Sequence, residues 1–322
     1  HLSIRRQRQM CIRDSPNINV FAHVGTGVLF AQLYWGTMPF LTVVGNCQAE
    51  SLRRLVSSAG DVESTRIPPV HELESADMEW FGEMLARTDI LVTQPIRDDY
   101  RGLPVGTSQT LAQLPRGARH VVVPVMRYDG LMPYQAIIRD PADSSLNPPV
   151  VPYHDLRILT AAARGDEKPV AHRPFHDAYV RAAAMSVEQI RSREQRHGSV
   201  VVSDYLETAP VWHTINHPDN ETLAVVASRA REALGLRGDV VLPDYEMLGE
   251  LNAPIDAHAA SALGVTVSDR TSWTRRGGDE IPWDEIVSAQ LDHYRARPAL
   301  VQHGLKRHAE RIANLELLGA AE

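Results

Sequence analysis

The chain contains very little cysteine. Only two cysteines, Cys11 and Cys47, occur in 322 residues, which excludes a disulfide framework and a zinc site built from cysteines. Unpaired thiols are typical of proteins in a reducing compartment. We therefore expect a cytoplasmic protein whose fold depends on a hydrophobic core and not on covalent cross-links.

Positive charge and long apolar segments are also scarce. Acidic residues number 40 against 33 lysines and arginines, and the formal net charge of −7 disfavours general nucleic-acid binding. An uncharged run over residues 20–33 contains His23, Gly25, Gly27 and Gln32 and is too polar for a membrane span. We therefore expect no nucleic-acid partner and no integral membrane segment.

The first residues of the chain have the pattern of a library adapter. Residues 5–15 correspond to the translation of a common transposase-type sequencing adapter, and the four residues before them fit an index segment. We interpret residues 1–15 as adapter read-through and residues 16–37 as a non-native or disordered leader, with Met38 as the start. Without the four arginines and one aspartate of the adapter segment, the formal charge is −10, and an apparent secretion signal disappears.

Strand and helix patterns alternate in the first part of the remaining chain. Short apolar runs predict strands at Leu41–Val44, Val62–Ile67, Asp89–Thr93 and His120–Val125. Amphipathic segments between them predict helices at Ala49–Ser58, Ser75–Arg87 and Ser108–Leu114. This alternation is typical of crossover units in a parallel sheet. The predicted fold class is α/β, with a doubly wound, mostly parallel sheet and helical additions toward the C-terminus.

The pattern changes after the fourth strand. Residues 126–155 are rich in Pro, Asp and Tyr and are interpreted as irregular surface. Helical patterns return at 155–163, 175–197, 220–236 and 283–318. Asp219 or Asn220 is a plausible N-cap. We expect residues 38–236 to form the main α/β domain and residues 237–322 a mainly helical extension packed on the same unit.

Cys47 lies in the turn Gly45-Asn46-Cys47-Gln48, directly after the first buried strand. Ligands of open α/β sheets bind beyond the carboxyl ends of the strands, and the N–H groups at the following helix start favour an anion. This position predicts a lowered thiol pKa and N–H groups that stabilise an oxyanion. The alternative is a small cysteine that is merely packed, and spacing alone does not separate the two.

A histidine-containing segment at residues 212–220 supplies a candidate base. His217 precedes a predicted helix, and histidine is the usual base for a nucleophilic cysteine. A metal site built on His213 and His217 finds no further ligand at a diagnostic spacing, so no metal is expected. His172 and His176, also four residues apart, are interpreted as solvated surface.

A polar segment follows the third strand, at the sheet edge where the cysteine turn is expected. Gln94 is a candidate donor to a developing oxyanion, and Arg97 or Arg101 is a candidate partner for a phosphate. The alternative is a loop in which these arginines pair with Asp98 and Asp99.

Together, the three segments resemble the WcbI-type polysaccharide biosynthesis family. The matching motifs are Val43-Val44-Gly45-Asn46-Cys47-Gln48, then Gln94 with Asp99-Tyr100-Arg101-Gly102 and Gly106-Thr107, then His213-Thr214-Ile215-Asn216-His217-Pro218. Their order and spacing agree with the family from about residue 40 to about residue 236. Residues 237–322 carry no part of the resemblance.

The resemblance implies an SGNH-hydrolase-like (flavodoxin-like) fold with a cysteine in place of the nucleophilic serine. It also implies coenzyme A or acetyl-CoA as co-substrate and acetyl transfer in capsular polysaccharide assembly. Carried over by position, Cys47 is the nucleophile and His217 its base. The position at which SGNH enzymes carry their acidic residue holds His213 and Thr214 here, so a Cys–His dyad is expected.

Supporting roles follow from the same resemblance. Asn46 and Gln94 are expected to stabilise the oxyanion together with the Cys47 N–H. The residues expected to bind coenzyme A are Gly45, Gln48, Arg97, Tyr100, Arg101 and His213. Arg53 and Arg54 are additional candidates for its phosphates.

Three functions follow from these predictions. The leading one is a cytoplasmic coenzyme A-dependent O-acetyltransferase acting on a glycan or nucleotide-sugar acceptor, through an acetyl-Cys47 intermediate or by direct transfer. A cysteine hydrolase of the SGNH type would remove an acyl group instead of adding one. A non-catalytic coenzyme A or nucleotide-sugar binding protein would leave Cys47 merely packed.

Overall fold

The computed structural model describes residues 38–170, 173–266 and 270–318. The expected adapter and leader segments, residues 1–15 and 16–37, lie outside these ranges, and so does His172. From Met38 onward the chain forms one unit by its internal contacts.

A four-stranded parallel sheet lies at the centre, with the strand order β2-β1-β3-β4. Its strands are β1 (Phe40–Val44), β2 (Glu63–Ser64), β3 (Ile90–Thr93) and β4 (Arg119–Val122). The chain leaves β1 for one neighbour and then crosses to the other side for β3. The predicted doubly wound α/β fold is therefore confirmed, and the switch point at which such sheets bind ligands lies between β1 and β3.

Helices cover both faces of the sheet, which explains why β1 and β3 are buried throughout. The first three helices are α1 (Ala49–Val56), α2 (Met78–Ala86, preceded by a 3-10 turn at Ser75–Asp77) and α3 (Thr107–Ala112). Leu41 and Val43 pack in the same core as α1, whereas Val44 packs with α2. Successive strand residues point to opposite faces, so this alternation places α1 and α2 on opposite sides.

The second strand is shorter than predicted. Only Glu63 and Ser64 of the expected Val62–Ile67 run pair with β1. The strand lies at the edge of the sheet, and the two residues after it are exposed. Ile67 is then buried in the same hydrophobic cluster as residues of α2, and its backbone no longer pairs with β1.

The interpretation of residues 126–155 as surface is wrong. The segment is largely irregular, with only the short antiparallel pair β5 (Gln135–Ala136) and β6 (His154–Asp155). Many of its apolar and aromatic side chains are nevertheless buried in the main core. Two of its tyrosines have polar partners there: the Tyr134 hydroxyl lies 2.9 Å from that of Tyr179, and the Tyr153 hydroxyl lies 2.8 Å from that of Thr214. Helices that follow later in the chain cover the segment, which its composition could not indicate.

The remaining helices lie between residues 156 and 314. They are α4 (Leu156–Arg164), α5 (His176–His197), α6 (Ser203–Leu206), α7 (Asn220–Ala233), α8 (Ala257–Ala262), α9 (Trp283–Arg295), α10 (Pro298–Arg307) and α11 (Ala309–Asn314). Asp219 caps α7, because its Oδ1 accepts the Thr222 N–H at 3.1 Å. Helix α7 packs against α1, so the segment before α7 reaches the turn that contains Cys47.

The C-terminal part, predicted to be mainly helical, also contains a small antiparallel sheet. Its strands are β7 (Leu251–Asn252), β8 (Trp273–Arg275) and β9 (Glu280–Ile281). These strands are only two or three residues long, too short to leave a periodic pattern. None of the helices in the described ranges combines the length and the apolar character needed to cross a bilayer.

Candidate active site

Cys47 and His217 lie side by side, although 170 residues separate them in the chain. The Cys47 Sγ is 3.7 Å from the His217 Nε2. Cys47 follows β1 at the carboxyl end of the sheet, and His217 ends a tight turn shortly before α7. The packing of α1 against α7 brings these two loops together. The structure thus places the expected nucleophile and the expected base in contact.

The expected lowering of the Cys47 pKa is wrong. Burial raises the pKa of the Cys47 thiol, and the charge of Glu72 adds to the rise. The N–H groups of Cys47 and Gln48 act in the opposite direction without reversing it. A thiolate at this site loses more hydration than the two N–H groups replace. Cys47 is therefore an uncharged thiol at neutral pH and depends on a base for reactivity.

His217 has the properties of such a base. Burial lowers its pKa, the charge of His213 lowers it further, and Glu250 opposes both effects. The ring is therefore neutral near pH 7 and accepts a proton at Nε2. Its Nδ1 is buried and has no hydrogen-bond partner among the described residues. Within those ranges no carboxylate orients the imidazole, so the arrangement is a dyad.

Backbone and side-chain hydrogen bonds hold the turn formed by residues 213–217, termed here the histidine turn, in place. The His217 carbonyl accepts the His213 N–H at 3.0 Å, and the His217 N–H donates to the Thr214 carbonyl at 3.1 Å. Tyr153 donates its hydroxyl hydrogen to the Asn216 Oδ1 at 2.8 Å. These bonds fix the backbone that carries His217, whereas the Nδ1 of its ring has no partner in the described ranges that would orient it as the third residue of a triad does.

Two glutamine amides connect the cysteine turn to its surroundings. The Gln48 side chain donates to the carbonyls of Met126 and Asn216, both at 2.9 Å, and accepts from the Gln94 amide at 2.9 Å. The Gln94 Oε1 accepts the Asn46 N–H at 2.8 Å. Because the Gln94 amide hydrogens go to Gln48 and to the Pro124 carbonyl, the expected oxyanion donation by Gln94 does not fit this geometry.

The same network leaves little room for Gln48 to bind a ligand. Gln48 is fully buried, and both its amide oxygen and its amide nitrogen have protein partners. Its role in this structure is to join the cysteine turn to the histidine turn.

Gly45 and Asn46 complete the turn. A Cβ atom at Gly45 would lie 2.5 Å from the Gln94 Oε1, so only glycine allows the amide to approach this closely. The Asn46 Oδ1 accepts the Gln48 N–H at 2.9 Å. The Asn46 amide nitrogen has no hydrogen-bond partner in the part of the chain that the structure describes, which leaves it available as a donor beside Cys47.

His213 is part of a polar cluster with C-terminal residues. Its Nδ1 lies 2.7 Å from the Asn252 Oδ1, and its Nε2 lies 3.0 Å from the Glu246 Oε2. Glu246 also accepts the Asn220 N–H at 3.0 Å. Both ring nitrogens of His213 are thus occupied by protein groups. Among the described residues, no three His, Cys, Asp or Glu side chains are grouped as metal ligands.

The segment after β3 forms an exposed rim. Arg97 and Arg101 are exposed, and the Arg97 guanidinium lies 5.9 Å from the centre of the Tyr100 ring. The alternative in which these arginines pair with Asp98 and Asp99 is wrong. Asp98 accepts from Ser108 and Asp99 from Gln109, because the start of α3 is close to both carboxylates.

Arg53 and Arg54 already have protein partners. Both form ion pairs with Glu50 on the same helix, at 2.7 and 2.8 Å. Arg53 also donates to Ser64, and Arg54 donates to Tyr245. These contacts weigh against the two arginines as free phosphate ligands.

The sequence patterns missed several residues around the dyad. Tyr153 lies in the segment interpreted as surface, and Glu246, Glu250 and Asn252 lie in the C-terminal part without a matched motif. Their only signal was residue type, since none is spaced regularly from Cys47 or His217. Long-range packing brings them to the site.

Comparison with known proteins agrees with this architecture. The family model for the polysaccharide biosynthesis enzyme WcbI matches residues 40–239. A solved structure of WcbI, a novel polysaccharide biosynthesis enzyme, in its native form without a disulfide bond between coenzyme A and one of its cysteines, has a TM-score of 0.71 at 17% identity. The alignment covers 88% of this chain and 100% of that one. Curated protein sequences gave no match. The matched residues span more than half of the chain, which therefore belongs to the WcbI family of polysaccharide biosynthesis enzymes.

Proposed function

We propose that this protein is a coenzyme A-dependent O-acetyltransferase that modifies a polysaccharide or a sugar precursor in the cytoplasm. The observation that carries the proposal is the 3.7 Å contact between the Cys47 thiol and the His217 imidazole at the switch point of the sheet. Family membership supports polysaccharide biosynthesis. The solved WcbI structure is described by reference to coenzyme A and a cysteine, between which it has no disulfide bond, and this mention of coenzyme A supports it as a co-substrate.

The residues present fit a thioester substrate. Cys47 is the only cysteine within the described ranges and is partly exposed, so an acyl group can reach its sulfur. The Asn46 amide nitrogen has no described partner, and the Cys47 N–H faces its own sulfur. These two donors would hold the oxyanion that forms when the sulfur attacks a carbonyl carbon.

In the first half-reaction, the Cys47 sulfur attacks the acetyl carbon while His217 Nε2 takes the thiol proton. The bond between the acetyl carbon and the coenzyme A sulfur breaks, and the departing sulfur takes the proton back from His217. One thioester replaces another, so the step is close to neutral in free energy.

In the second half-reaction, a sugar hydroxyl replaces the coenzyme A thiol. His217 Nε2 takes the hydroxyl proton as the oxygen attacks the acetyl carbon on Cys47, and the proton then returns to the departing Cys47 sulfur. The product is an oxygen ester, which is more stable than a thioester, so the step runs downhill. Direct transfer from the thioester to the hydroxyl would need only His217 as base.

A cavity of about 370 Å³ supports a sugar as the acceptor. Its walls include the aromatic residues Tyr134, Trp273 and Trp283, the carboxylate of Asp256, and the ion pair of Asp155 with Arg157. Aromatic faces and carboxylates are complementary to the apolar faces and the hydroxyl groups of a sugar ring.

Two aromatic side chains, those of Trp273 and Tyr153, connect the same cavity to the histidine turn. Trp273 stacks on Tyr153 with ring centres 5.4 Å apart, and Tyr153 donates to Asn216 beside the catalytic histidine. A glycan that contacts Trp273 would lie next to these rings, and its reacting hydroxyl would have to extend beyond the cavity to reach Cys47, which does not line it.

Acetyl-CoA labelling tests the proposal. We expect the protein to form an acetyl thioester on the Cys47 peptide, detected by mass spectrometry after a short incubation, and Cys47→Ala to abolish it. His217→Ala should slow labelling by about 10²- to 10⁴-fold, the usual contribution of a general base. His176→Ala, which alters an exposed histidine on α5, is the matched control and should label at the normal rate.

The rival functions give different results in the same experiment. Release of free acetate without any sugar acceptor would identify a hydrolase. Coenzyme A binding without labelling, in a protein that still acetylates a glycan, would indicate direct transfer. Binding without either reaction would leave a non-catalytic coenzyme A-binding protein and contradict the proposal.

A further inference from the structure

Four arginines and a histidine surround a second cavity, of about 220 Å³, next to α5, α10 and α11. These residues, termed here the arginine cluster, are Arg127, Arg193, Arg307, His308 and Arg311. Two carboxylates also line the cavity, those of Asp129 and Glu310. Four permanent positive charges therefore face two negative ones.

Most of the donors in the arginine cluster have no protein acceptor. Arg311 forms an ion pair with Asp129 and donates to the Gln135 carbonyl at 2.7 Å. Its Nε is buried without a partner in the described ranges, and so is the His308 Nε2. The guanidinium groups of Arg127 and Arg193 form no hydrogen bond or ion pair with any described residue.

The arginine cluster is electrostatically unfavourable by itself. Burial and the charges of Arg193, Arg307 and Arg311 lower the pKa of Arg127 to about 10. Burial and neighbouring arginines also lower the pKa of Arg193, and His308 has its pKa lowered to about 3. Arg127 and Arg193 are half-buried and Arg307 is exposed, and charges that are even partly buried without partners are costly and rarely kept for stability. Their convergence on one cavity is typical of a site that binds an anion.

The cavity is close to the catalytic turn. Ile215, two residues before His217, lines it, and its carbonyl accepts the Tyr128 N–H at 2.9 Å. Arg127 follows Met126, whose carbonyl accepts the Gln48 amide. Tyr153 is close to both sites: burial raises the pKa of its hydroxyl to about 12 while the positive charge of Arg127 opposes the rise, and the same hydroxyl donates to Asn216 in the histidine turn.

We propose that the arginine cluster binds a phosphate or diphosphate group of a phosphorylated substrate. Guanidinium groups match phosphate oxygens in geometry and charge, and a dianion would balance the excess positive charge. The group would come from coenzyme A or from the diphosphate of a nucleotide-linked sugar, which share this chemistry. The inference does not depend on acyl transfer at Cys47.

Calorimetric titration with inorganic pyrophosphate tests the site on the full chain. We expect binding that weakens with added salt, and an affinity loss of about tenfold or more in Arg127→Gln and in Arg193→Gln. Arg191→Gln is the matched control. Arg191 lies on α5, as Arg193 does, and already forms ion pairs with Glu188 and Glu207. Its loss should therefore leave the affinity for pyrophosphate unchanged.

Thermal unfolding distinguishes a binding arginine from a structural one. Without ligand, Arg127→Gln should keep or raise the melting temperature, because it removes repulsion and breaks no described hydrogen bond. Pyrophosphate should raise the melting temperature of the unmodified chain and have little effect on the variant. A fall in the melting temperature of ligand-free Arg127→Gln would instead indicate a structural arginine and overturn the proposal.

Competition identifies the source of the phosphate. Displacement of pyrophosphate by adenosine 3′,5′-bisphosphate would assign the arginine cluster to coenzyme A, and displacement by uridine diphosphate would assign it to a nucleotide-linked acceptor. Both results support a phosphate site. Cys47→Ala should bind pyrophosphate normally, which separates this test from failure of acyl transfer. No binding, or equal binding by both arginine variants and the unmodified chain, would refute the proposal.

Discussion

At the scale of single residues, the chemistry of this site depends on how burial changes two pKa values. Burial raises the pKa of Cys47 and lowers that of His217. Both shifts favour the uncharged thiol and imidazole over the thiolate–imidazolium pair. Under the proposed mechanism, Cys47 therefore becomes nucleophilic only as its proton moves to His217, without a thiolate formed beforehand.

The reactivity of Cys47 toward alkylation should reflect this difference. Because the thiolate is the reactive form and the Cys47 pKa is raised, iodoacetamide should modify Cys47 slowly at about pH 7. The rate should keep rising through the alkaline range, without a plateau near neutrality. The measurement is the rate of modification of the Cys47 peptide by mass spectrometry at a series of pH values.

An exposed histidine on α5 serves as the control for this pH profile. His176→Ala, with its exposed histidine removed, should reproduce the profile of the unmodified chain. A rate that is already maximal at about pH 7 would mean that a thiolate exists in the free protein, and would contradict the raised pKa.

At the scale of elements, the site depends on a turn that is held from three directions. The turn joins β1 to α1, and the Gln94 amide at the end of β3 accepts its Asn46 N–H. The Gln48 amide reaches the histidine turn and the segment after β4. The dyad is thus built on backbone positions that several elements fix together, which suits a reaction that requires close control of distance.

Gly45→Ala should disturb this turn. The new Cβ would lie 2.5 Å from the Gln94 Oε1, so the amide must move and its hydrogen bonds to Asn46 and Gln48 weaken. Overpacking of this kind costs about 1–3 kcal/mol. We expect a lower free energy of unfolding in urea and slower acetyl labelling of Cys47.

Gly82→Ala is the comparison for this prediction. Gly82 lies within α2, and the nearest atom to its new Cβ is 3.8 Å away. Alanine in a helix should increase the free energy of unfolding by about 0.5–1 kcal/mol and leave labelling unchanged. If Gly45→Ala were as stable as the unmodified chain, the close contact between residue 45 and the Gln94 amide would not require glycine.

At the scale of the whole molecule, buried polar residues join the irregular segment to the C-terminal helices. In β6, the His154 Nδ1 forms a hydrogen bond with the Tyr294 hydroxyl at 2.7 Å, and its Nε2 forms one with the Ile138 carbonyl at 3.0 Å. The carbonyl can only accept, so the Nε2 carries the hydrogen and the Nδ1 accepts from Tyr294. Burial lowers the pKa of His154 to about 4, and its ring is neutral in the folded protein at neutral pH.

This arrangement predicts a loss of stability in mild acid. The unfolded chain binds a proton at the ordinary histidine pKa of about 6.5, whereas folded His154 binds it only near pH 4. The free energy of unfolding should therefore fall as the pH decreases from about 6.5 toward about 4. His154→Gln should show a smaller fall over the same range, measured by urea unfolding at several pH values.

Other buried histidines affect the size of this change. His217 and His308 also have lowered pKa values, so the pH dependence should be reduced in His154→Gln and not abolished. His176→Gln, an exposed substitution, should retain the full dependence. An unchanged slope in His154→Gln would show that His154 is not neutral in the fold.

The sequence by itself determined the local features of this protein. Apolar runs at the positions of β1, β3 and β4 and amphipathic patterns at α1 and α2 were sufficient for the α/β class, because period and composition are local properties. The Gly45–Gln48 turn and the His213–Pro218 segment were also readable, since turn chemistry and motif order appear directly in the chain.

Only the tertiary structure decided how these local features act together. In the folded chain, residues 126–155 are largely buried, the Cys47 pKa is raised instead of lowered, and Gln94 holds the cysteine turn. The arginine cluster comes from segments up to 184 residues apart, from Arg127 to Arg311. Burial, desolvation and charge proximity are sums over neighbours that are distant in the chain. Cys47 was identifiable from its turn, but its protonation depends on that surrounding packing.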